Sequence, residues 1–596
     1  AKTTMKKTTM KKTTMKKTTM KKTPRLIRST KKWLTGAEIL CEALIENGTD
    51  VMFGIPGGVV LPFYDALTKY PQIHHILVRH EQAGGFAADG FARVAKRPCV
   101  ALGTSGPGAT NLLTSVVNSM MDSVPVVYLT GQVTSELLGS DAFQETDILG
   151  MSFTTVKHSY SIFDPAEISP MMNEAFAVTM HGRPGPVLFD VTKDALQKRA
   201  YYTPGQYKIK LPPLPRMPSA AIEKNMRELE KLLDDPRTKP LIIIGHGVGL
   251  SGAFTELREF AERHNIPVAN TLLGVGSFPP DHPLSLSMLG MHGEAAANCA
   301  THEANLIFGI GIRFDDRITG KLEAFREKTH FVHIEVDASE VDKNVPTKIP
   351  FAGDIKKVLV EINRKITTRH VYAQWWKQLN GMLKKYPLRM PPKGTKWISR
   401  TGIPAPIAIG KISEATKGQA IVTCDVGRHQ MWVPRFYRFQ NPDSHPTSGG
   451  LGAMGYGMPA AMGAKLAFPN REVWAICGDG SFQMNIQELA TLHQEKIPLR
   501  IAIMNDNALG IVRQWQQAFY NENISHTVFE PIDFAAIAKA YGHGSRRVTK
   551  TSELDDAIRE ARAYNGTFLL DIKIDHNEHV YPMVPPLTPL GEQIVG

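Results

Sequence analysis

Gly478-Asp479-Gly480-Ser481 follows the apolar run Val473-Trp474-Ala475-Ile476-Cys477, and Asn505-Asp506-Asn507, opening 27 positions after Gly478, follows the apolar run Leu499 to Met504. Each run has the length and unbroken hydrophobicity of a strand covered on both faces of a parallel sheet. Two strands of one sheet would then end in oxygen-bearing side chains at one carboxyl edge, where open α/β sheets bind ligands. A carboxylate, a second oxygen side chain and a backbone carbonyl make a hard-oxygen site suited to Mg²⁺, which keeps substrate phosphate oxygens in its octahedron. Gly480 lets the chain approach a phosphate, and the helix start after it offers N–H donors. Asp-Gly and Asn-Asp are also common loop pairs, so the bland alternative is two unrelated turns.

The same alternation of short apolar strands and helical patterns runs through the whole body of the chain. Strands are expected at Val51 to Gly54, His75 to Val78, Cys99 to Leu102 and Val124 to Leu129; at Leu241 to Ile244, Ile266 to Ala269, Leu306 to Gly309 and Phe331 to Val336; and at Ala420 to Thr423, Val473 to Cys477, Leu499 to Met504 and Phe568 to Ile572. Two Pro-rich basic stretches, around Leu211-Pro212-Pro213-Leu214-Pro215 and Met390-Pro391-Pro392-Lys393-Gly394, read as linkers. The expected fold is α/β, with three doubly wound parallel-sheet domains. The expected order is a tail at 1–32, a domain at 33–200, a linker at 201–218, a central domain at 219–385, a linker at 386–406, a third domain at 407–580 and a C-terminal tail at 581–596.

The chain has 596 residues, 42% hydrophobic and 21% charged, the make-up of a soluble globular enzyme of several domains. No apolar run is long enough to cross a bilayer. Cys41, Cys99, Cys299, Cys424 and Cys477 are scattered without a CxxC pair, which argues against a disulfide framework or zinc site and fits a reducing compartment. The net charge of +12 belongs to the amino terminus: residues 1–37 hold eleven Lys, Arg25 and Arg28 and no acid, and without them 56 basic residues face 57 acidic ones. The near-neutral body gives no reason to expect nucleic-acid binding. The terminus repeats Thr-Thr-Met-Lys-Lys with a period of five that fits neither helix nor strand, and its dense like charge predicts disorder. It lacks the apolar core of a secretory signal, and its strict repetition looks more like an artefact than a transit peptide.

Other constellations stand at strand ends. Glu81, in Arg79-His80-Glu81-Gln82, opens a small-residue helix; it is either a ligand-facing carboxylate or a helix N-terminal acid. Gly57-Gly58 can present N–H groups to an oxyanion or make a tight turn. Gly103 to Asn111 is a third glycine loop, either a cofactor cradle or a helix start. Gly247-Val248-Gly249-Leu250-Ser251-Gly252 has the GxGxxG form, but the next strand ends Ala269-Asn270-Thr271 without the acid that a dinucleotide fingerprint wants. Arg313 and Arg317 could grip a diphosphate or join a solvated ion-pair network. Gly449 to Pro459 is too glycine-dense for a mere linker; Met454 within it could prop a ligand or fill the core.

Together these pieces resemble the thiamine-diphosphate (ThDP) enzyme superfamily, from about Trp33 to the carboxyl end. Within it the chain looks like the catalytic subunits of acetohydroxyacid (acetolactate) synthase. The marks are Arg79 to Gln82, Ala142-Phe143-Gln144-Glu145-Thr146, Gly182-Arg183-Pro184-Gly185-Pro186, Arg313-Phe314-Asp315-Asp316-Arg317 and Gly510-Ile511-Val512-Arg513-Gln514-Trp515, in that order. The resemblance implies a pyrimidine-binding first domain, an FAD-binding central domain and a diphosphate- and Mg²⁺-binding third domain. It implies decarboxylation of pyruvate and transfer of the two-carbon unit to pyruvate or 2-oxobutyrate, the first common step of branched-chain amino-acid biosynthesis.

Carried over residue by residue, Glu81 would hydrogen-bond the aminopyrimidine N1′, Met454 would support the bent cofactor and the Gly452 carbonyl would orient its amine. Gln144 and Gly58 would stabilise alkoxide charge. Arg317 would bind the acceptor carboxylate, Trp515 would shape the acceptor pocket and Lys193 would stand at the entrance. Gly427, His429, Gln430, Gly480 and Ser481 would surround ThDP. Asp479, Asp506 and the Ala508 carbonyl would hold Mg²⁺; the family pattern has Asn at the position of Asp506, a departure expected to spare binding. FAD, without a net redox role, would contact Arg183, Gly245, Gly247, Thr271, Leu272, Met291, His292, Gly311, Arg313, Asp315, Glu335 and Asp354. The resemblance further implies a homodimer or tetramer with Glu81 reaching the partner's ThDP, a separate regulatory subunit, no nucleic acid or membrane partner, and a cytoplasmic location, or a plastid one in a photosynthetic eukaryote. Rival readings are a pyruvate oxidase, a FAD-free catabolic acetolactate synthase and a non-catalytic nucleotide-binding scaffold.

Overall fold

The computed structural model describes residues 31–389 and 402–596. The repeat expected to be disordered, up to residue 30, and residues 390–401 of the second expected linker lie outside the described residues. Three parallel sheets, each flanked by helices, make an α/β architecture. In the first the strand order is His74–Leu77, Val51–Gly54, Cys99–Gly103, Val126–Gln132, Val187–Thr192 and Ser159–Ile162. The central order is Ser285–Met288, Val268–Asn270, Pro240–Ile244, Leu306–Ile310, His330–Glu335 and Thr347–Ala352. The third is Ile421–Cys424, Val473–Gly478, Arg500–Asn505, Phe568–Lys573 and Gly544–Val548.

All twelve expected strands are present, with ends shifted by at most three residues and Val51–Gly54 matching at both ends. Their continuous apolar runs are buried on both faces, as at Leu241 to Ile244, which is wholly inaccessible. The structure adds strands whose sequences carry weaker signals, among them Ser159–Ile162 and Gly544–Val548. It also pairs Lys32–Thr35 antiparallel with Arg199–Tyr202, so Lys32, Tyr201 and Tyr202 belong to a ribbon rather than to tail and linker. Ala405 and Pro406 open the helix Ala405–Thr416 rather than closing a linker. The segment 581–596 is docked: Val584 N–H donates to the Met291 carbonyl, and Met583 and Ile594 form a bridge. Among the described residues no helix is long and apolar enough to cross a membrane.

The first and third sheets share one core, in which Phe53, Ala88 and Phe91 meet Met458, Ala461 and Ile503. The helices Glu81–Ala95 and Gly457–Ala467 cross there almost backbone to backbone. A Cβ on Gly90 would lie 2.3 Å from the Ala460 carbonyl oxygen, and one on Gly463 would lie 1.8 Å from that of Ala87. The polar groups on this seam satisfy one another: Arg93 bridges Asp89 (2.6 Å) and Asp122 (2.8 Å), and Tyr456 Oη donates to Asp89 (2.8 Å). Such closure is what buried charge demands.

Candidate active site

The strands Val473–Gly478 and Arg500–Asn505 are parallel neighbours, with Gly478 opposite Met504. That register sets Asp479 and Asp506 side by side at the carboxyl edge. Asp479 is buried, and its carboxyl is held well above the usual carboxylate range by desolvation and then by the adjacent Asp506. Two buried carboxylates sharing one space are what a divalent cation relieves. Among the described residues no cluster of three or more His, Cys, Asp or Glu forms a metal site, so a cation here would take its remaining ligands from carbonyl, phosphate or water oxygens. Ala508 follows Asn507, whose φ of 53° turns the chain back so that Ala508 bridges Val528. The residues present fit Mg²⁺.

Around this edge, burial and then the Arg428 charge push His429 down to about 3, so its Nε2 accepts the Gly478 N–H at 3.1 Å. Gly427 has a φ of 150°, open to glycine, just before the helix Arg428–Phe436. Gln430 Nε2 donates to Thr447 Oγ1 and to the Ser448 carbonyl, both at 2.9 Å. Ser481 Oγ is spent on the Val426 carbonyl at 2.6 Å. The glycine run is held at both ends. Asp122 accepts the N–H groups of Gly449 (2.9 Å) and Gly450 (2.7 Å), and Asp425 accepts those of Gly455 and Gly457. Gly452, with a φ of 72°, and half-buried Met454 lie between these anchors.

A second group of residues gathers at the carboxyl edge of the first sheet. Glu81 is the first residue of its helix, behind a His80 cap, and is 8% exposed. Its Oε2 accepts Asn111 Nδ2 at 2.9 Å, so the partner comes from the third glycine loop. That loop is the hub. A Cβ on Gly108 would lie 3.3 Å from Glu81 Oε1, one on Gly106 would lie 2.9 Å from Gln144 Cβ, and Gly57 packs against Thr104. Thr104 Oγ1 and Ser105 Oγ are buried without partners, the mark of polar surface that expects a ligand. Gly58 adjoins this group; Lys193 begins the short helix after the strand Val187–Thr192.

The third feature is a cavity of about 810 Å³ between the domains. All twelve residues expected to touch FAD line it, with Gln430, Gly452, Arg317 and Trp515. Gly245, Gly247 and Gly311 pack so closely that a Cβ on Gly245 would lie 2.3 Å from the Gly311 carbonyl oxygen, leaving a bare backbone floor. His292 is held neutral by burial, at about 3, and its Nδ1 is buried without a partner. Burial lifts Glu335 to about 7. Arg183 reaches in from the first domain, bound to Ser123 (2.8 Å) and Glu340 (2.9 Å). An elongated cofactor with one apolar ring system and polar arms fits these walls, FAD included. Trp515 Nε1 is buried without a partner, and the Arg317 side chain is 58% exposed with Met291 Sδ at 3.4 Å.

Glu81, Gly58, Gln144 and Lys193 do not line this cavity, nor do Asp479 and Asp506. Sequence reading missed Asp122, Arg93 and Arg428. No local motif marks them, because although Arg93 has a neighbour in Asp89, the partners that place them lie far along the chain: Asp122 for Arg93, Gly449 for Asp122 and Asp506 for Arg428.

Three family models match the chain in order: the N-terminal TPP-binding domain of thiamine pyrophosphate enzymes over residues 34–151, their central domain over 229–362 and their C-terminal TPP-binding domain over 425–572. The chain is 42% identical to an acetolactate synthase of Mycobacterium bovis over 567 residues, 92% of this chain and 90% of that protein. It is equally similar to an acetolactate synthase large subunit of Mycobacterium tuberculosis. It is 41% identical to a chloroplastic acetolactate synthase of Arabidopsis thaliana over 564 residues, 92% of this chain and 83% of that one.

Proposed function

The chain belongs to the thiamine pyrophosphate enzyme family, and on that footing we propose that it is an acetolactate synthase: it decarboxylates pyruvate and joins the two-carbon unit to a second 2-oxo acid. The products are 2-acetolactate from pyruvate and 2-aceto-2-hydroxybutyrate from 2-oxobutyrate, intermediates of branched-chain amino-acid biosynthesis. The observation that carries this reading is the presence of two such groups at sheet edges: Glu81 with its orphaned hydroxyl neighbours, and the buried carboxylates Asp479 and Asp506.

Thiamine diphosphate, when bound, supplies a nucleophilic carbon and an electron sink. Glu81 would hold a hydrogen bond to the pyrimidine ring and tune its proton exchange. Asp479, Asp506 and the Ala508 carbonyl would hold Mg²⁺ against the diphosphate, with Gly480 leaving room. Gln144 and the Gly58 N–H would meet developing alkoxide charge, where preorganised donors are worth most. Arg317 would hold the acceptor carboxylate. Trp515, broad and flat, would favour an ethyl over a methyl group, a preference of about 1–3 kcal/mol. The central cavity would carry FAD in a structural role.

In this reading the half-sites come together across two copies of the chain. Phe143 (87% exposed), Met151 (54%) and Phe153 (77%) lie within nine residues of Gln144 along the chain, and Met484 (53%), Tyr520 (64%) and Val528 (60%) follow the segments that carry Asp479 and Asp506. Apolar surface of this extent asks for cover, and a homodimer would bring Glu81 of one copy to the metal edge of the other. A separate regulatory subunit and a cytoplasmic or plastid location complete the proposal. The decisive assay supplies pyruvate, ThDP, Mg²⁺ and FAD, with and without 2-oxobutyrate, and identifies products. Acetolactate, displaced by acetohydroxybutyrate when 2-oxobutyrate is added, is expected. Peroxide formed with uptake of dissolved oxygen instead would assign an oxidase, and full activity in protein stripped of flavin would remove FAD from the scheme.

A further inference from the structure

Arg428 opens the helix Arg428–Phe436, and its side chain is only 4% exposed. It pairs with Asp506, whose side chain is 6% exposed. The same guanidinium donates to the carbonyls of His576 (3.3 Å) and Glu578 and lies over the Trp432 ring, 5.5 Å from its centre. The pair is walled in: a Cβ on Gly510 would lie 2.3 Å from Arg428 Nε and 2.5 Å from Asp506 Oδ2. The other nearby cation, Lys573, donates to Asn505 Oδ1 (2.8 Å) and Asn507 Oδ1 (3.0 Å), bracing the turn.

We propose that Arg428 is a positioning residue of the metal site: it pairs with one oxygen of Asp506 and cancels its charge, so that Asp479 and Asp506 together present two oxygen ligands with the net charge of one carboxylate. The proposal rests on the assignment of this aspartate pair to a divalent cation. An arginine stays protonated at any working pH, so the cancellation is permanent. Removing either partner leaves a buried charge without its counter-charge, and the two removals act with opposite sign on a cation bound beside them. Without Arg428 the pocket is more negative. Without the Asp506 carboxylate a buried guanidinium faces the cation.

The test is a double-mutant cycle on the full chain, read as Mg²⁺ affinity from thermal-shift titration at saturating ThDP and no substrate, with the melting temperature of the apo protein as second readout. D506N is expected to weaken Mg²⁺ about tenfold or more, and R428Q to tighten it several-fold while lowering the apo melting temperature. The R428Q/D506N protein should return to within about threefold of wild type, and R428K should stay there. A double variant as weak as D506N, or single variants indistinguishable from wild type, overturns the role of Arg428. Should R428Q not fold by itself, the contrast between D506N and the double variant decides. D479N separates the two levels: loss of Mg²⁺ affinity there with a flat cycle sinks only Arg428, whereas unchanged affinity in D479N sinks the metal assignment itself.

Discussion

Glu81 is placed by covalent accident and local chemistry: a strand ends, His80 caps, and the next residue is the first of a helix whose N–H dipoles favour a carboxylate. All of that is written within a few residues and was legible. Its partner Asn111, thirty positions on, was not. Glu81→Gln removes the charge and keeps the shape, and is expected to cut kcat about 10²- to 10⁴-fold with ThDP binding retained, measured by steady-state kinetics and cofactor titration. A second carboxylate makes a prediction about stability. Asp190 is buried on the strand Val187–Thr192; desolvation lifts it to about 7, against hydrogen bonds from Thr130 (2.6 Å) and Gln132 (3.3 Å). Its folded-state value lies above the unfolded one, so the unfolded chain loses this proton first as pH rises from about 4 to 7. Stability therefore falls across that window, by up to about 4 kcal/mol from this group. Asp190→Asn should flatten that slope: melting temperatures at pH 8 should exceed wild type, with the gap shrinking towards pH 4.

The elements followed from period and length. A run such as Leu241 to Ile244 has no amphipathic alternation, and only the middle of a covered parallel sheet buries both its faces. Strands such as Ser159–Ile162 and Gly544–Val548 escaped notice because edge positions tolerate polar residues, leaving little pattern to read. The helix crossing of Glu81–Ala95 with Gly457–Ala467 shows the limit of reading one element at a time. The glycines in each helix cost helical stability, and only the other helix explains them. Gly463→Ala would drive a methyl into the Ala87 carbonyl oxygen. It is expected to destabilise by about 1–3 kcal/mol or more, seen as a lower urea midpoint with unchanged slope.

At the scale of the whole molecule, the twelve residues assigned to FAD by resemblance do converge on one cavity, while Glu81 and the Asp479–Asp506 pair stand outside it. A shared active site between two copies has a sharp genetic signature. Glu81→Gln and Asp479→Asn chains, each inactive alone, should regain activity when refolded together, up to about a quarter of wild type if subunits mix at random in a two-fold dimer. Continued inactivity of the mixture, with mixed dimers shown by mass, would place each site within one chain. The sequence by itself determined the class of fold, the residues that end its strands and the family, because strand hydrophobicity and the residues that end a strand are local facts. Only the tertiary structure decided that Asp506 is shared with Arg428, that Asp122 holds the glycine loop and that Gly90 and Gly463 face carbonyls. Each depends on segments that meet only when the sheets pack, and no local pattern encodes which distant charge will fill a buried partner's need.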